Sequence, residues 1–234
     1  MPSISNQNSE EMDRDLRFYD EPIVPPGLPS NMKARSEDES KKFWEDYYNK
    51  RVTPELLKDF SHEEALGLVK YFFRTPGAET QTIGGNYSLG NLDKNSKSFL
   101  EKELRNANII EIGNKGLIQN AEFAPFGIRS YQGTDCDYGN DALTHLMKQP
   151  DESAVICSFG VLESGVLDSW VGRDKPLGRY IDLLAKEIYR VTPKGAITLH
   201  GTDGFTELEK AGFADERILL KGHMGNVVSY RRIE

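Results

Sequence analysis

The chain has 234 residues, 38% hydrophobic and 28% charged, with a formal net charge of −8 and a sequence pI near 5.2. That length is enough to bury a real core, while the acidic balance excludes a general nucleic-acid binder, whose footprint is a basic face. No apolar run approaches the roughly 20 residues of a membrane-spanning helix, and a mean hydropathy of −0.56 reads as a soluble, somewhat polar protein.

Residues 1–35 are rich in Ser, Asn, Asp, Glu and Pro, with PIVPPGLP running from Pro22 to Pro29. Such a composition buries little surface, and its prolines favour extended backbone, so a disordered tail is expected. Phe18, Tyr19 and Ile23 are the residues with which it would engage a protein partner. The N-terminus carries no apolar signal core, and Cys136 and Cys157 make no disulfide framework. A cytoplasmic or nuclear setting is the expectation.

A helical extension is expected over residues 36–106. Ser36 with Glu39 forms a capping box that opens a helix. Its Phe43, Trp44, Tyr47 and Tyr48 recur at helical spacing and should form one buried stripe, with Lys41, Lys42, Lys50 and Arg51 as a solvated basic face. Thr53-Pro54 starts another turn, since proline fits the first helical position. Ser61 with Glu64 caps a second helix carrying Ala65, Leu66, Leu68, Val69, Phe72 and Phe73, which Thr75-Pro76-Gly77 ends. The glycine-rich stretch 76–92 is a lid or a connector. Asp93 can cap a last helix with Phe99, Leu100 and Leu104 facing inward.

Strand and helix patterns then alternate over 107–234, the mark of a parallel sheet. The expected strands are 108–112, 128–133, 154–159 and 195–200. Between Asp135 and Ala154 there is room for one short helix at most, with a few residues of strand. A long helix over Tyr180–Val191 puts Leu183, Leu184, Ile188 and Tyr189 on one face. A helix near 205–211 precedes two strands, Arg217–Leu220 and Asn226–Arg231, whose short KGHMGN link implies a hairpin.

Within this pattern, NIIEIGNKG at 108–116 runs an apolar strand into an acidic residue and two glycines. Gly113 and Gly116 let backbone approach a ligand, and the Glu111 carboxylate can accept hydrogen bonds from it. Further on, GIRSYQGTD ends in Asp135, where a second strand offers a carboxylate to a pair of ribose hydroxyls. The order suggests a nucleotide-type ligand at the carboxyl ends of the sheet. His62, His145, His200 and His223 show no metal-ligand spacing, so no metal site is expected. Cys157, inside an apolar strand, reads as a packed thiol.

The segments IIEIGNKG (109–116), YQGTD (131–135), AVICSFGVLES (154–164) and LLAKEIYRVTPKGAITLHG (183–201) together resemble a class I S-adenosylmethionine-dependent methyltransferase domain. Pro193-Lys194-Gly195 stands in the family's turn before a strand, and GF at 212–213 with the closing hairpin is similar to its last two strands. The resemblance spans roughly residues 100–234. APFGIRSYQGTD and SFGVLESGVLDSWVGRDKPLG look most like a poorly characterised methyltransferase-like group of unknown function.

The resemblance implies a Rossmann-like α/β sheet, mostly parallel with a C-terminal antiparallel hairpin and reduced in the middle. It implies S-adenosyl-L-methionine as cofactor, held by Glu111, Gly113, Asn114, Gly116 and Asp135, with Ser158 and Phe159 at the end of the next strand. Glu163 would face the methyl and the acceptor, and His200 suits a general base if the acceptor needs deprotonation. Simpler roles stay open: Glu111 as a cap on the next turn, Glu163 as the first acid of a helix, His200 as a semi-buried packing residue. SWVGRDKPLGR at 169–179, with Arg173, Lys175 and Arg179, lies where a substrate loop would be, and Asp203 follows the next strand.

The chain also departs from the family. Lys115 and Leu117 occupy the places of the second and third motif glycines, with Gly116 between them, and their side chains would crowd the methionine moiety. In one register Asp135 is the ribose acid and the adenine side is shortened. In the other, GTDCD is the adenine-side motif and the ribose strand is the missing one. Three functions follow: a methyltransferase with a small-molecule or protein acceptor, an inactive methyltransferase-fold binding or scaffold protein, and a nicotinamide-dependent oxidoreductase. The last lacks the G-x-G-x-x-G motif it needs.

Overall fold

The computed structural model describes residues 37–72, 89–112, 119–134, 141–159, 176–201, 206–222 and 225–233. The expected tail 1–35, Ser36 of the first capping box and the stretch 73–88 lie outside them.

Six strands form one sheet. They are β1 (Asn108–Ile112), β2 (Ser130–Thr134), β3 (Val155–Phe159), β4 (Ile197–Gly201), β5 (Phe213–Gly222) and β6 (Gly225–Arg232), in the order β2-β1-β3-β4-β6-β5. The pairs β1·β2, β1·β3 and β3·β4 are parallel, while β6 runs antiparallel to both β4 and β5. This is the mostly parallel sheet with a closing hairpin that the sequence predicts. The chain leaves β1 for β2 on one side, then crosses to β3 on the other. The carboxyl ends of β1 and β3 therefore flank a topological switch point, the crevice where open α/β sheets bind ligands.

The strands read as apolar runs because both faces are covered: β3 and β4 are buried at every position. On one face Ile110, Ile112 and Ile156 pack with Leu143 of α5 (Ala142–Met147) and with Leu184 and Ile188 of α6 (Pro176–Val191). The same cluster takes in Phe60 and, from α2 (His62–Phe72), Leu68 and Val69. On the other face Ile109, Val155 and Leu199 pack with Leu100 and Leu104 of α3 (Lys94–Leu104) and Phe123 of α4 (Gln119–Phe123). The extension thus contributes side chains to both apolar layers.

Local chemistry sets the helix starts. Ser61 N–H donates to Glu64 at 2.8 Å and Glu64 N–H to the Ser61 hydroxyl at 3.2 Å, a complete capping box. Asp93 caps α3 by accepting from Ser96 N–H at 2.7 Å. The Thr53 hydroxyl accepts from Leu56 N–H at 3.3 Å where the 3₁₀ turn Leu56–Lys58 begins. Helix α6 starts at Pro176 rather than Tyr180, because proline is preorganised for a first turn.

The aromatic stripe of α1 (Glu37–Asn49) is half-buried rather than buried. Tyr47 and Tyr48 pack against the rim of the first cluster, Lys41, Lys42 and Lys50 are exposed, and Arg51 lies 3.5 Å over the Tyr47 ring. Between β2 and β3 the only described element is α5. Helix α7 (Thr206–Ala211) precedes the hairpin. Among the described residues no helix is long and apolar enough to cross a membrane.

Candidate functional site

Glu111 stands one residue before the end of β1 and is 1% exposed. Its register neighbours are Gly133 on β2 and Cys157 on β3. Successive side chains of a strand alternate between faces. Ile109 belongs to the α3/α4 cluster and Ile110 and Ile112 to the α5/α6 cluster, so Glu111 shares the α3/α4 face.

A carboxylate there needs a donor, since an unpartnered buried charge is costly. Tyr131 supplies one: its hydroxyl donates to Glu111 Oε2 at 2.7 Å. The Tyr131 ring lies 5.8 Å from Phe123, which lies 6.4 Å from Phe159, making an aromatic wall beside the carboxylate. The Cys157 thiol is fully buried. Burial pushes its pKa well up, and the neighbouring Glu111 charge adds to the shift. It is a packed thiol, as its strand position predicts.

Ser158 pairs in register with Ile112 on one side and His200 on the other. That row faces α5 and α6, opposite Glu111. The Ser158 hydroxyl is buried and has no hydrogen-bond partner among the described residues. His200 is fully buried, its ring 5.9 Å from Tyr230 in an edge-on contact. Burial alone lowers its pKa from 6.5 to about 3, so the imidazole is neutral at pH 7. A neutral ring packed in the sheet face matches the packing role and not the general-base role, which needs access to the acceptor's proton.

The sheet therefore brings Glu111, Ser158, Phe159 and His200 to adjacent strand ends but divides them between two faces. Glu111 and Phe159 lie with α3 and α4, Ser158 and His200 with α5 and α6. Gly113, Asn114, Gly116, Asp135 and Glu163 lie outside the described residues, as do Lys115, Leu117, Arg173, Lys175 and Asp203. In the chain, Gly113 follows β1 directly and Asp135 follows β2.

Arg179, expected in a substrate loop, is committed elsewhere. It sits in the first turn of α6, its guanidinium paired with Glu64 at 2.8 Å, bonded to the Asp59 carbonyl and stacked 4.8 Å over Phe60. Sequence reasoning missed two partners, Tyr131 for Glu111 and Tyr180 for Asp141, the latter a hydroxyl–carboxylate contact of 2.9 Å. The tyrosine in YQGTD was a weak signal for the first, but its meaning depends on the register of β2 against β1.

No family model matches the chain, and no curated protein matches it. Solved structures with a similar arrangement include a TehB-like SAM-dependent methyltransferase from Corynebacterium glutamicum, 15% identical with a TM-score of 0.37, over 62% of this chain and 91% of that one. Burkholderia thailandensis 1,6-didemethyltoxoflavin-N1-methyltransferase, with 1,6-didemethyltoxoflavin and S-adenosylhomocysteine bound, is 11% identical with a TM-score of 0.43, over 91% of this chain and 95% of that one. Haemonchus contortus phosphoethanolamine N-methyltransferase 2, in complex with phosphomonomethylethanolamine and S-adenosylhomocysteine, is 15% identical with a TM-score of 0.34. There the match covers 53% of this chain and 38% of the other. The fold of the present chain stands on its own strand order and register.

Proposed function

We propose that this chain binds S-adenosyl-L-methionine at the carboxyl ends of β1 and β3 and transfers its methyl group to a small-molecule or protein acceptor. The observation that carries the proposal is the buried Glu111 carboxylate, held by Tyr131 beside the switch point of the sheet. The residues fit such a ligand. A buried anion, the glycines that follow it in the chain and a buried Ser158 hydroxyl on the next strand are groups a polar, partly cationic molecule uses.

When bound, the sulfonium supplies an already activated methyl, so the chemistry asks for positioning and little else. Well-oriented intramolecular reactions draw about 7–11 kcal/mol from geometry alone. In this proposal Glu111 orients the ligand's amino group or the glycine segment, and Gly113, Asn114 and Gly116 admit the ligand's backbone. Asp135 accepts the two ribose hydroxyls. Phe159, on the Glu111 face, and Ser158 close the corner, and Glu163 faces the acceptor. His200 packs behind Ser158 and takes no proton.

Thermal unfolding with S-adenosylhomocysteine tests this. Ligand at a hundred times its dissociation constant stabilises the chain by about 2.7 kcal/mol, and Asp135→Ala removes the response. No shift at millimolar ligand replaces this reading with the inactive binding module, and a shift with NAD alone replaces it with the oxidoreductase.

A further inference from the structure

The Asp141 carboxylate is 2% exposed at the start of α5. Its Oδ1 accepts from Thr144 N–H at 3.0 Å, which caps the helix, and from the Tyr180 hydroxyl at 2.9 Å. That hydroxyl accepts from Leu143 N–H at 3.0 Å. The Thr144 hydroxyl lies 2.8 Å from that of Thr53 in the extension. Residue 179, next to the tyrosine, is the arginine bound to Glu64 and Asp59. Two consecutive residues in the first turn of α6 thus hold α5 with one side chain and the extension with the other. At the far end of α6, Arg190 donates to the Leu146 carbonyl and the Gln149 carbonyl, both at 2.9 Å. Helix α5 is tied along α6 at both ends.

A helix cap explains only the bond to Thr144. Bringing a tyrosine hydroxyl into an apolar layer to meet a carboxylate is no gain over two well-packed apolar side chains. What the contact adds is a fixed relative position. Helix α5 is the first described element after β2 and α6 the first after β3, and those two strands lie on either side of β1 and its Glu111.

We infer that Tyr180 and Asp141 are positioning residues that hold the β2 and β3 sides of the ligand corner in register. This rests on the methyltransferase reading above. Neither side chain touches the ligand; each acts through the helix it fixes.

Isothermal titration of the full chain with S-adenosylhomocysteine tests it. Tyr180→Phe and Asp141→Ser each weaken binding about tenfold, within the range that a misplacement of about 1 Å costs. Serine still caps α5 but is too short to reach the tyrosine. Asp141→Asn keeps an oxygen in the same place and binds as the wild type does. Arg190→Ala loosens only the far end of α5 and lowers the melting temperature without weakening the ligand. Should Tyr180→Phe fail to fold, Asp141→Ser carries the test alone. Wild-type affinity in Asp141→Ser, or losses that merely follow melting temperature across all four variants, overturn the inference while leaving the methyltransferase reading intact. A wild-type chain that takes up no S-adenosylhomocysteine removes that reading, and the positioning role with it.

Discussion

The Tyr131 hydroxyl reaches from β2 to within 2.7 Å of a Glu111 carboxylate oxygen on β1. Both residues lie on the α3/α4 side of the sheet, so a charge that β1 buries is answered by a donor from the neighbouring strand.

Tyr131→Phe removes that donor while leaving the ring and its contact with Phe123 in place. A buried acceptor that loses its partner costs about 1–3 kcal/mol, so the urea midpoint should fall accordingly. A change within about 0.5 kcal/mol, the range of an ordinary surface substitution, would show that the Glu111 carboxylate draws no stability from this bond.

His200 gives the fold a pH dependence of definite sign. Its pKa is about 3 in the folded chain and 6.5 when free of burial. Between those values the unfolded chain binds the extra proton, so the stability is present above 6.5 and is lost as pH falls toward 3. From pH 7 to 5 this one group removes about 2 kcal/mol. His200→Leu lacks that component, and denaturant titrations at the two pH values should show its loss smaller by this amount. Equal losses in the two proteins would mean that the imidazole is not enclosed in its neutral form.

Gly212 enters β5 with φ at +110°, and a Cβ built there would lie 2.8 Å from Cε2 of Tyr189. Gly212→Ala strains the backbone by about 1–3 kcal/mol. It also displaces a ring that stacks edge-on with Phe213 at 5.6 Å and donates to the Ile233 carbonyl at 3.2 Å. Gly67 is the contrast: it lies within α2, and nothing would stand within 4 Å of its added Cβ. Gly67→Ala should stabilise by about 0.5–1 kcal/mol. Calorimetry on the pair should move the two melting temperatures in opposite directions; a shared direction contradicts this account.

The elements legible in the chain were those that short-range chemistry specifies. Ser61 with Glu64, and Asp93 with Ser96, announce helix starts because a cap is a contact between residues three apart. The strands at 108–112 and 154–159 announce themselves because burial on both faces demands an unbroken apolar run. Helix α4 was not foreseen, since five residues carry too little periodicity to stand out. The start of β2 was read at 128, where Ile128 precedes the strand proper at Ser130.

The site was legible as a set of residue types and not as an arrangement. The amino-acid order alone determined that an acid and glycines end β1, and that the segment after β2 holds one short helix. It also determined that a hairpin closes the sheet. Which face each side chain occupies was decided only when β1, β2, β3 and β4 found their registers, because a one-residue slip would exchange Glu111 with Ile112 or Ser158 with Cys157. Register is set by long-range packing of helices on both faces. That packing, and no local signal, placed Tyr131 beside Glu111, enclosed His200 in the opposite layer and joined Tyr180 to Asp141.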